Sequence, residues 1–103
     1  MKAFEIHDGT YQFNKSDDRR PWLVLRSPND EDLVSCFPIS GQNYSGIGFE
    51  IRADHEKFKE TGLKKRCFVL DDRVFLIPKE CLVKRRGKLV GSLLAQFREY
   101  CGI

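Results

Sequence analysis

The sequence lacks any long apolar run. No stretch approaches the ~20 consecutive apolar residues that a membrane-spanning helix needs, so no membrane partner is expected. Its first residues, from Met1 to Glu5, already carry charge, and no secretory signal peptide is expected ahead of them. These features predict a cytoplasmic protein.

The spacings of metal and redox sites are also missing. No two cysteines form a Cys-x-x-Cys pair, and three of the four lie in apolar runs, which is typical of buried, reduced thiols. His7 and His55 have no His, Cys or Asp partner at ligand spacing, and His55, which follows Asp54, is expected at the surface. Glycine-rich phosphate loops and the Gly-x-Ser-x-Gly motif are absent. We therefore expect no metal and no other cofactor.

Charge of one sign is in little excess. With 18 Lys and Arg against 15 Asp and Glu, the net charge is +3, which by itself does not identify a nucleic-acid-binding protein. The basic residues are clustered, however, at 64–66 and at 84–88. Such runs are either solvated surface or a site for a polyanion. A chain of 103 residues holds one core, so residues 1–103 are predicted to form a single domain.

Short apolar segments between turn residues predict β-strands in the first half of the chain. Pro38 is expected to end the third of these strands or to place it at a sheet edge. The fourth has the clearest two-residue alternation in the sequence. The predicted strands are residues 10–13, 22–25, 33–37 and 47–51.

The second half contains signals for helices and for further strands. Asp54 is expected to cap a short helix from His55 to about Glu60, with Gly62 as its stop. Residues 67–70 and 74–77 flank a polar turn and predict a β-hairpin. A last short strand is expected at residues 82–83.

From Lys88 onward, apolar residues recur at spacings of three and four, which predicts an amphipathic helix that ends at Gly102. Together these elements predict a mainly-β domain with a short connecting helix and a C-terminal helix. Many short strands separated by turns favour a small barrel or a strongly bent sheet.

Two polar loops are the candidate site. Residues 19–21 open one predicted strand and residues 40–44 follow the next, so antiparallel pairing would bring them to one end of the sheet. Arginine binds phosphate bidentately and stays charged, which suits stabilisation of a phosphorane-like transition state without a metal. The alternative is that Arg20 makes a surface ion pair with Asp17 or Asp18. Tyr44 either stacks on a base or covers the end of the sheet.

The sequence Arg20-Pro21-x-x-Val24-Leu25, followed by Pro38-Ile39-Ser40, resembles the PemK/MazF family of bacterial toxins. The later order of a Thr-Gly pair at 61–62, a strand pair and the basic run 84–88 before a terminal helix is similar to the second half of that family. The resemblance covers residues 9–97. It implies a compact SH3-like or CcdB-like β-barrel.

The resemblance implies a homodimeric toxin of a type II toxin–antitoxin system that is blocked by a cognate antitoxin. It also implies metal-independent cleavage of single-stranded RNA, in which the ribose 2′-hydroxyl attacks the adjacent phosphate. By position, Arg20 would be the catalytic arginine, and Ser40 would stand where the family usually has a threonine. Lys65 and Cys67 stand where some relatives have Arg and Asp. The RNA-binding residues are predicted to be Arg19, Gln42, Tyr44, Lys64, Lys65, Arg85 and Arg86.

Two other functions compete with RNA cleavage. One is a barrel of the same origin that binds RNA or a protein and cuts nothing, and the other is a protein-interaction role aimed at a topoisomerase or another cellular target. Binding to RNA predicts an affinity that falls with salt, because lysines and arginines displace condensed counterions.

Overall fold

A computed structural model describes residues 1–10, 19–42, 46 and 48–103 of the chain. Seven β-strands and one α-helix lie in this part of the protein, together with two short 3₁₀ helices at Phe58–Thr61 and Lys79–Cys81. The strands are β1 (Glu5–Gly9), β2 (Arg20–Val24), β3 (Leu33–Ser40), β4 (Phe49–Ile51), β5 (Cys67–Val69), β6 (Phe75–Pro78) and β7 (Leu82–Lys88), and the helix is α1 (Gly91–Cys101).

The strands form one antiparallel sheet in the order β4-β5-β3-β2-β1-β7, and β6 pairs with a different part of β3. The predicted class, mainly β with a short connecting helix and a C-terminal helix, is confirmed. Among the described residues the pairing is an open path, so closure into an SH3-like or CcdB-like barrel stays a prediction. No described helix is long and apolar enough to cross a membrane.

Apolar side chains on both faces of the sheet are buried, because the strands alternate their side chains between two cores. One face packs against α1, where Leu23 and Phe37 of the sheet share a buried cluster with Phe97 of the helix. The opposite face buries a second cluster that includes Trp22 and Cys36. Both faces of β2 and β3 are therefore covered.

The predicted hairpin of residues 67–70 and 74–77 is wrong. β5 and β6 do not pair with each other; both run antiparallel to β3, with Val69 opposite Ile39 and Phe75 opposite Cys36. The two strands thus follow one another along the same edge of β3, and residues 70–74 form a wide loop between them. The apolar pattern was correct, but the pairing partner was not local.

Several boundaries also differ from the sequence-based predictions. Pro38 lies inside β3, where it faces Trp22 and its carbonyl accepts a hydrogen bond from the Leu70 N–H. A proline lacks only the donor, so the strand continues through it. Asp54 does not cap a helix; it binds Arg52 at 2.9 Å, and the 3₁₀ helix Phe58–Thr61 begins after Lys57. Gly62 ends that helix in the left-handed conformation, as predicted.

The two ends of the chain differ as well. β1 was not predicted, and the strand predicted at 10–13 falls mainly outside the described residues. β7 runs from Leu82 to Lys88, far beyond the two residues expected, so α1 begins at Gly91 and not at Lys88. Gly102 closes α1 in the left-handed conformation, with φ 72°, as predicted.

Candidate functional site

Arg20 and Ser40 lie at the same end of two neighbouring strands. The pairing of β2 with β3 ends with Trp22 opposite Pro38, and Arg20 and Ser40 each lie two residues beyond that pair. The two residues therefore lie at the same end of the strand pair. Both residues are half-buried, and Arg19, just before β2, is exposed. The expectation that the two polar loops meet at one end of the sheet is consistent with this register.

The hydroxyl of Ser40 already takes part in a local turn. Its Oγ accepts a hydrogen bond from the backbone N–H of Gln42 at 3.1 Å. A serine that caps the turn after a strand in this way has a structural use for its oxygen. The contact leaves the hydroxyl proton available as a donor. Gln42 is exposed.

Gly62 and Gly87 let β7 lie very close to the 3₁₀ helix Phe58–Thr61, which brings the two basic runs together. A Cβ atom on Gly87 would overlap the carbonyl oxygen of Glu60, and one on Gly62 would overlap that of Arg86. Only glycine therefore lets β7 approach the 3₁₀ helix Phe58–Thr61 so closely. Lys64 lies three residues after the end of that helix, and it lines the same cavity as Arg86 of β7.

Lys64 and Arg86 line a cavity of about 320 Å³, which we call the cationic groove. Pro21, Ile39 and Leu63 supply apolar walls, and Lys64, Lys65 and Arg86 supply the charge. Gly41, which follows Ser40, also lines it; a Cβ there would lie 3.4 Å from Cε of Lys65. The groove is thus adjacent to the strand ends that carry Arg20 and Ser40.

The cations of the groove are not equally available. Arg86 Nη1 lies 3.3 Å from Oδ1 of Asp8, and both side chains are mostly buried. Lys64 and Lys65 are exposed, and neither has a carboxylate within ion-pair distance in the described part of the chain. Two uncompensated charges beside apolar walls suit an anionic ligand with hydrophobic parts.

Cys67 also lines the groove, as a neutral thiol. Burial raises its pKa, and the nearby charges of Lys65 and Arg86 offset this only in part. Its S–H donates to the carbonyl oxygen of Lys65 at 3.2 Å. A thiol in this state is a poor nucleophile, because the thiolate is the reactive form. Cys67 is therefore a packing residue of the groove.

Arg85 belongs to a different cluster, away from the groove. Its Nε lies 3.2 Å from Oε2 of Glu5, whose other oxygen lies 3.0 Å from Nε2 of His7. Burial opposes ionisation of Glu5, but hydrogen bonds from His7 and the Lys2 N–H and the charges of His7 and Arg85 outweigh it. Together they lower the pKa of Glu5 to about 2. The cluster Glu5–His7–Arg85 thus holds Arg85 in an ion pair.

A bulge between β1 and β7 separates Arg85 from Arg86. Ile6 faces Gly87 while His7 faces Arg85, so Arg86 is the extra residue on β7. Bulges redirect side chains in this way. The predicted RNA-binding residues are consequently divided: Lys64, Lys65 and Arg86 lie together, Arg85 lies elsewhere, and Tyr44 is outside the described residues.

The sequence did not indicate Asp8 or the partnership of Glu5 with His7. Both acids lie on β1, whose residues Glu5–Gly9 show no clean apolar alternation. The Glu-x-His spacing was the available signal, because residues two apart in a strand share a face. In the described residues, no three His, Cys, Asp or Glu side chains are grouped so that they could hold a metal ion.

No protein-family model matches this chain, and no curated protein sequence matches it.

Proposed function

We propose that this protein is a toxin-like, metal-independent endoribonuclease of the PemK/MazF kind that acts on single-stranded RNA. One observation carries the proposal: the cationic groove adjoins the strand ends that bear Arg20 and Ser40. The binding charges and the candidate catalytic groups then lie at the same end of the sheet, where a polyanion that crosses the strand ends would contact both.

Binding would use both parts of the groove. Among the described residues Lys64 and Lys65 have no carboxylate within ion-pair distance, and they would contact phosphates. The apolar walls formed by Pro21, Ile39 and Leu63 would contact bases. Exposed bases are a property of single strands, whereas a duplex presents mainly its backbone. The combination therefore favours single-stranded RNA.

Cleavage would use the RNA's own nucleophile. The 2′-oxygen forms a bond to phosphorus as the bond from phosphorus to the 5′-oxygen breaks. The products are a 2′,3′-cyclic phosphate and a 5′-hydroxyl, and the proton lost by the 2′-hydroxyl is balanced by the one gained at the 5′-oxygen. Arg20 would stabilise the charge on the phosphorane, and the Ser40 O–H would donate to a phosphate oxygen.

The proposal extends to partners and compartment. A cognate antitoxin would block the groove, and two copies would form a homodimer. A cytoplasmic location agrees with the four cysteines, which are all free and two of which are buried. In the cell, the activity would cut mRNA and stop growth.

Cleavage of a mixed single-stranded RNA in the presence of a chelator tests the proposal. Wild type should yield cyclic phosphate ends, and Arg20→Ala should lose at least 100-fold in rate, roughly the size expected for a transition-state charge contact. Arg26→Ala is the matched control, since Arg26 is exposed beyond the other end of β2. RNA left intact by wild type would overturn the enzymatic proposal.

A second function is favoured by the Ser40 hydroxyl, which accepts the Gln42 N–H and so has a structural role already. In this alternative the domain binds RNA without cutting it. Fluorescence anisotropy with labelled RNA would then show salt-dependent binding while gel analysis shows no products. Products from wild type that disappear in Arg20→Ala would exclude this alternative.

A further inference from the structure

A row of three side chains crosses the sheet at the candidate site. Phe68 of β5 faces Ser40 of β3 on one side and Glu50 of β4 on the other. Directly opposite residues share a face of the sheet. The row therefore reads hydroxyl, aromatic ring and carboxylate, and Arg20 begins the neighbouring strand β2 at the same end of the sheet.

Phe68 differs from its neighbours in β5, since Cys67 and Val69 are buried in the core while Phe68 is only half-buried. A planar group already lies against it. The guanidinium carbon of Arg66 is 5.5 Å from the centre of the Phe68 ring. A half-exposed ring that holds a planar cation on one face is the kind of surface on which a nucleobase stacks.

The same guanidinium also reaches the carboxylate at the end of the row. Arg66 Nη1 lies 3.4 Å from Oε2 of Glu50, and the Arg66 side chain is 63% exposed. An exposed ion pair of this kind contributes little to stability, so Arg66 is easily displaced. Its placement combines a cation over the Phe68 ring with an ion pair to Glu50.

Guanine has the groups to make both contacts, one with the Phe68 ring and one with the Glu50 carboxylate. It is planar, and its Watson–Crick edge carries two adjacent N–H donors, whereas a carboxylate is an acceptor only. Adenine and uracil place acceptors on that edge, which would face the Glu50 carboxylate unfavourably. We propose that Phe68 and Glu50 form a guanine-specific subsite beside Arg20 and Ser40, and that Arg66 occupies it until RNA displaces it. This inference rests on the proposed RNA-directed function.

The test measures binding of short oligouridylates that carry one central guanosine, inosine or adenosine. Wild type should bind the guanosine RNA about tenfold more tightly than the adenosine RNA, the size expected of one bidentate base contact. Inosine, which lacks the 2-amino group, should lie between them. Binding of all three RNAs with equal affinity would overturn the subsite but not the RNA-directed function, and no binding of any RNA would overturn both.

Four variants separate the roles within the subsite. Phe68→Leu should lose most of the affinity for the guanosine RNA, while Phe68→Tyr should keep it, because only the second variant keeps a ring for stacking. Glu50→Gln should bring the preference for guanosine over adenosine close to unity. Arg66→Ala should retain that preference. If Arg66→Ala abolishes the preference as Glu50→Gln does, Arg66 contacts the base itself and the displacement model is wrong.

Two controls show that the loss is local. Glu60→Gln removes an exposed carboxylate outside the row and should leave the guanosine preference unchanged. Thermal unfolding of Phe68→Leu should be cooperative, like that of Phe68→Tyr. A Phe68→Leu protein that folds normally and still prefers guanosine would overturn the proposal.

Discussion

Two pairs of neighbouring basic residues in this protein have opposite electrostatic surroundings. On β7, Arg85 and Arg86 are each held by a carboxylate of β1, Glu5 and Asp8 respectively. After the 3₁₀ helix Phe58–Thr61, Lys64 and Lys65 have no such partner in the described residues. Basic pairs that look alike in the sequence can therefore have different roles. Arg85 and Arg86 form ion pairs between β7 and β1, whereas Lys64 and Lys65 are available to a ligand.

The crossing of Gly87 and Gly62 joins the two regions, and we expect its loss to have the largest effect. Gly87→Ala would place a methyl group on the Glu60 carbonyl and lower the free energy of unfolding by about 3 kcal/mol. Gly41→Ala is the control, because its Cβ would meet Lys65 at an ordinary 3.4 Å. Urea unfolding of both variants measures the difference. Equal stability would mean that the crossing is loose.

The stability that Glu5 gives to the β1–β7 region should fall in acid. The pKa of Glu5 is about 2 in the folded protein, below its ordinary 4.5, so the folded state binds fewer protons than the unfolded state between these values. Glu5 thus stabilises the fold above pH 4.5 and loses this effect as the pH falls toward 2. We expect about 2 kcal/mol, less than the full pKa difference implies, because Arg85 is half exposed and screened by water.

Glu5→Gln should remove that acid dependence. Unfolding by urea at pH 6, and again at about pH 3, gives the change in free energy for each protein. A wild type that loses no more stability than Glu5→Gln over this range would contradict the role assigned to Glu5.

The lysine region should dominate RNA binding. Lys64→Ala combined with Lys65→Ala should weaken the affinity for single-stranded RNA about tenfold and reduce the salt slope by about 1.4, since two phosphate contacts are lost. Arg85→Ala, which leaves the groove unchanged, should alter the affinity little. Anisotropy titrations over a range of salt concentrations test both. If Arg85→Ala weakens binding as much as the double variant, the contrast between the regions fails.

The smallest effect is expected at the strand end. Ser40→Ala removes the acceptor of the Gln42 N–H in an exposed turn, where water can replace it, so the free energy of unfolding should fall by about 0.5 kcal/mol. Ser40→Thr should be close to neutral because it keeps the acceptor. Thermal unfolding compares the two. A loss of several kcal/mol in Ser40→Ala would show that the turn organises the sheet.

Local patterns predicted much of the fold. The alternation around Phe49 and Ile51, the stop at Gly62 and the end of α1 at Gly102 were all found where the sequence placed them. Each depends on neighbours in the chain or on glycine's access to positive φ, and such signals need no knowledge of distant contacts. Strand pairing was harder to predict from the sequence. β5 and β6 both pair with β3, which lies about 30 positions before β5 and about 40 positions before β6.

The candidate site was likewise predictable only in part. Arg20 and Ser40 could be placed at one end of the sheet, because antiparallel neighbours bring the start of one strand to the end of the next. Which cations carry a carboxylate partner could not be read from the sequence. That outcome depends on a bulge at Arg86 and on β1, whose mixed residues gave no strand pattern.

By itself, then, the sequence determined the mainly-β class, the terminal helix, the reduced cysteines and the two basic runs, since composition and short-range periodicity encode them. Only the tertiary structure decided that Lys64 and Lys65 lie beside Gly41 with no carboxylate partner in the described part of the chain, while Arg85 is paired with Glu5. The physical reason is that charge is a property of a residue, whereas its compensation depends on which strand folds beside it.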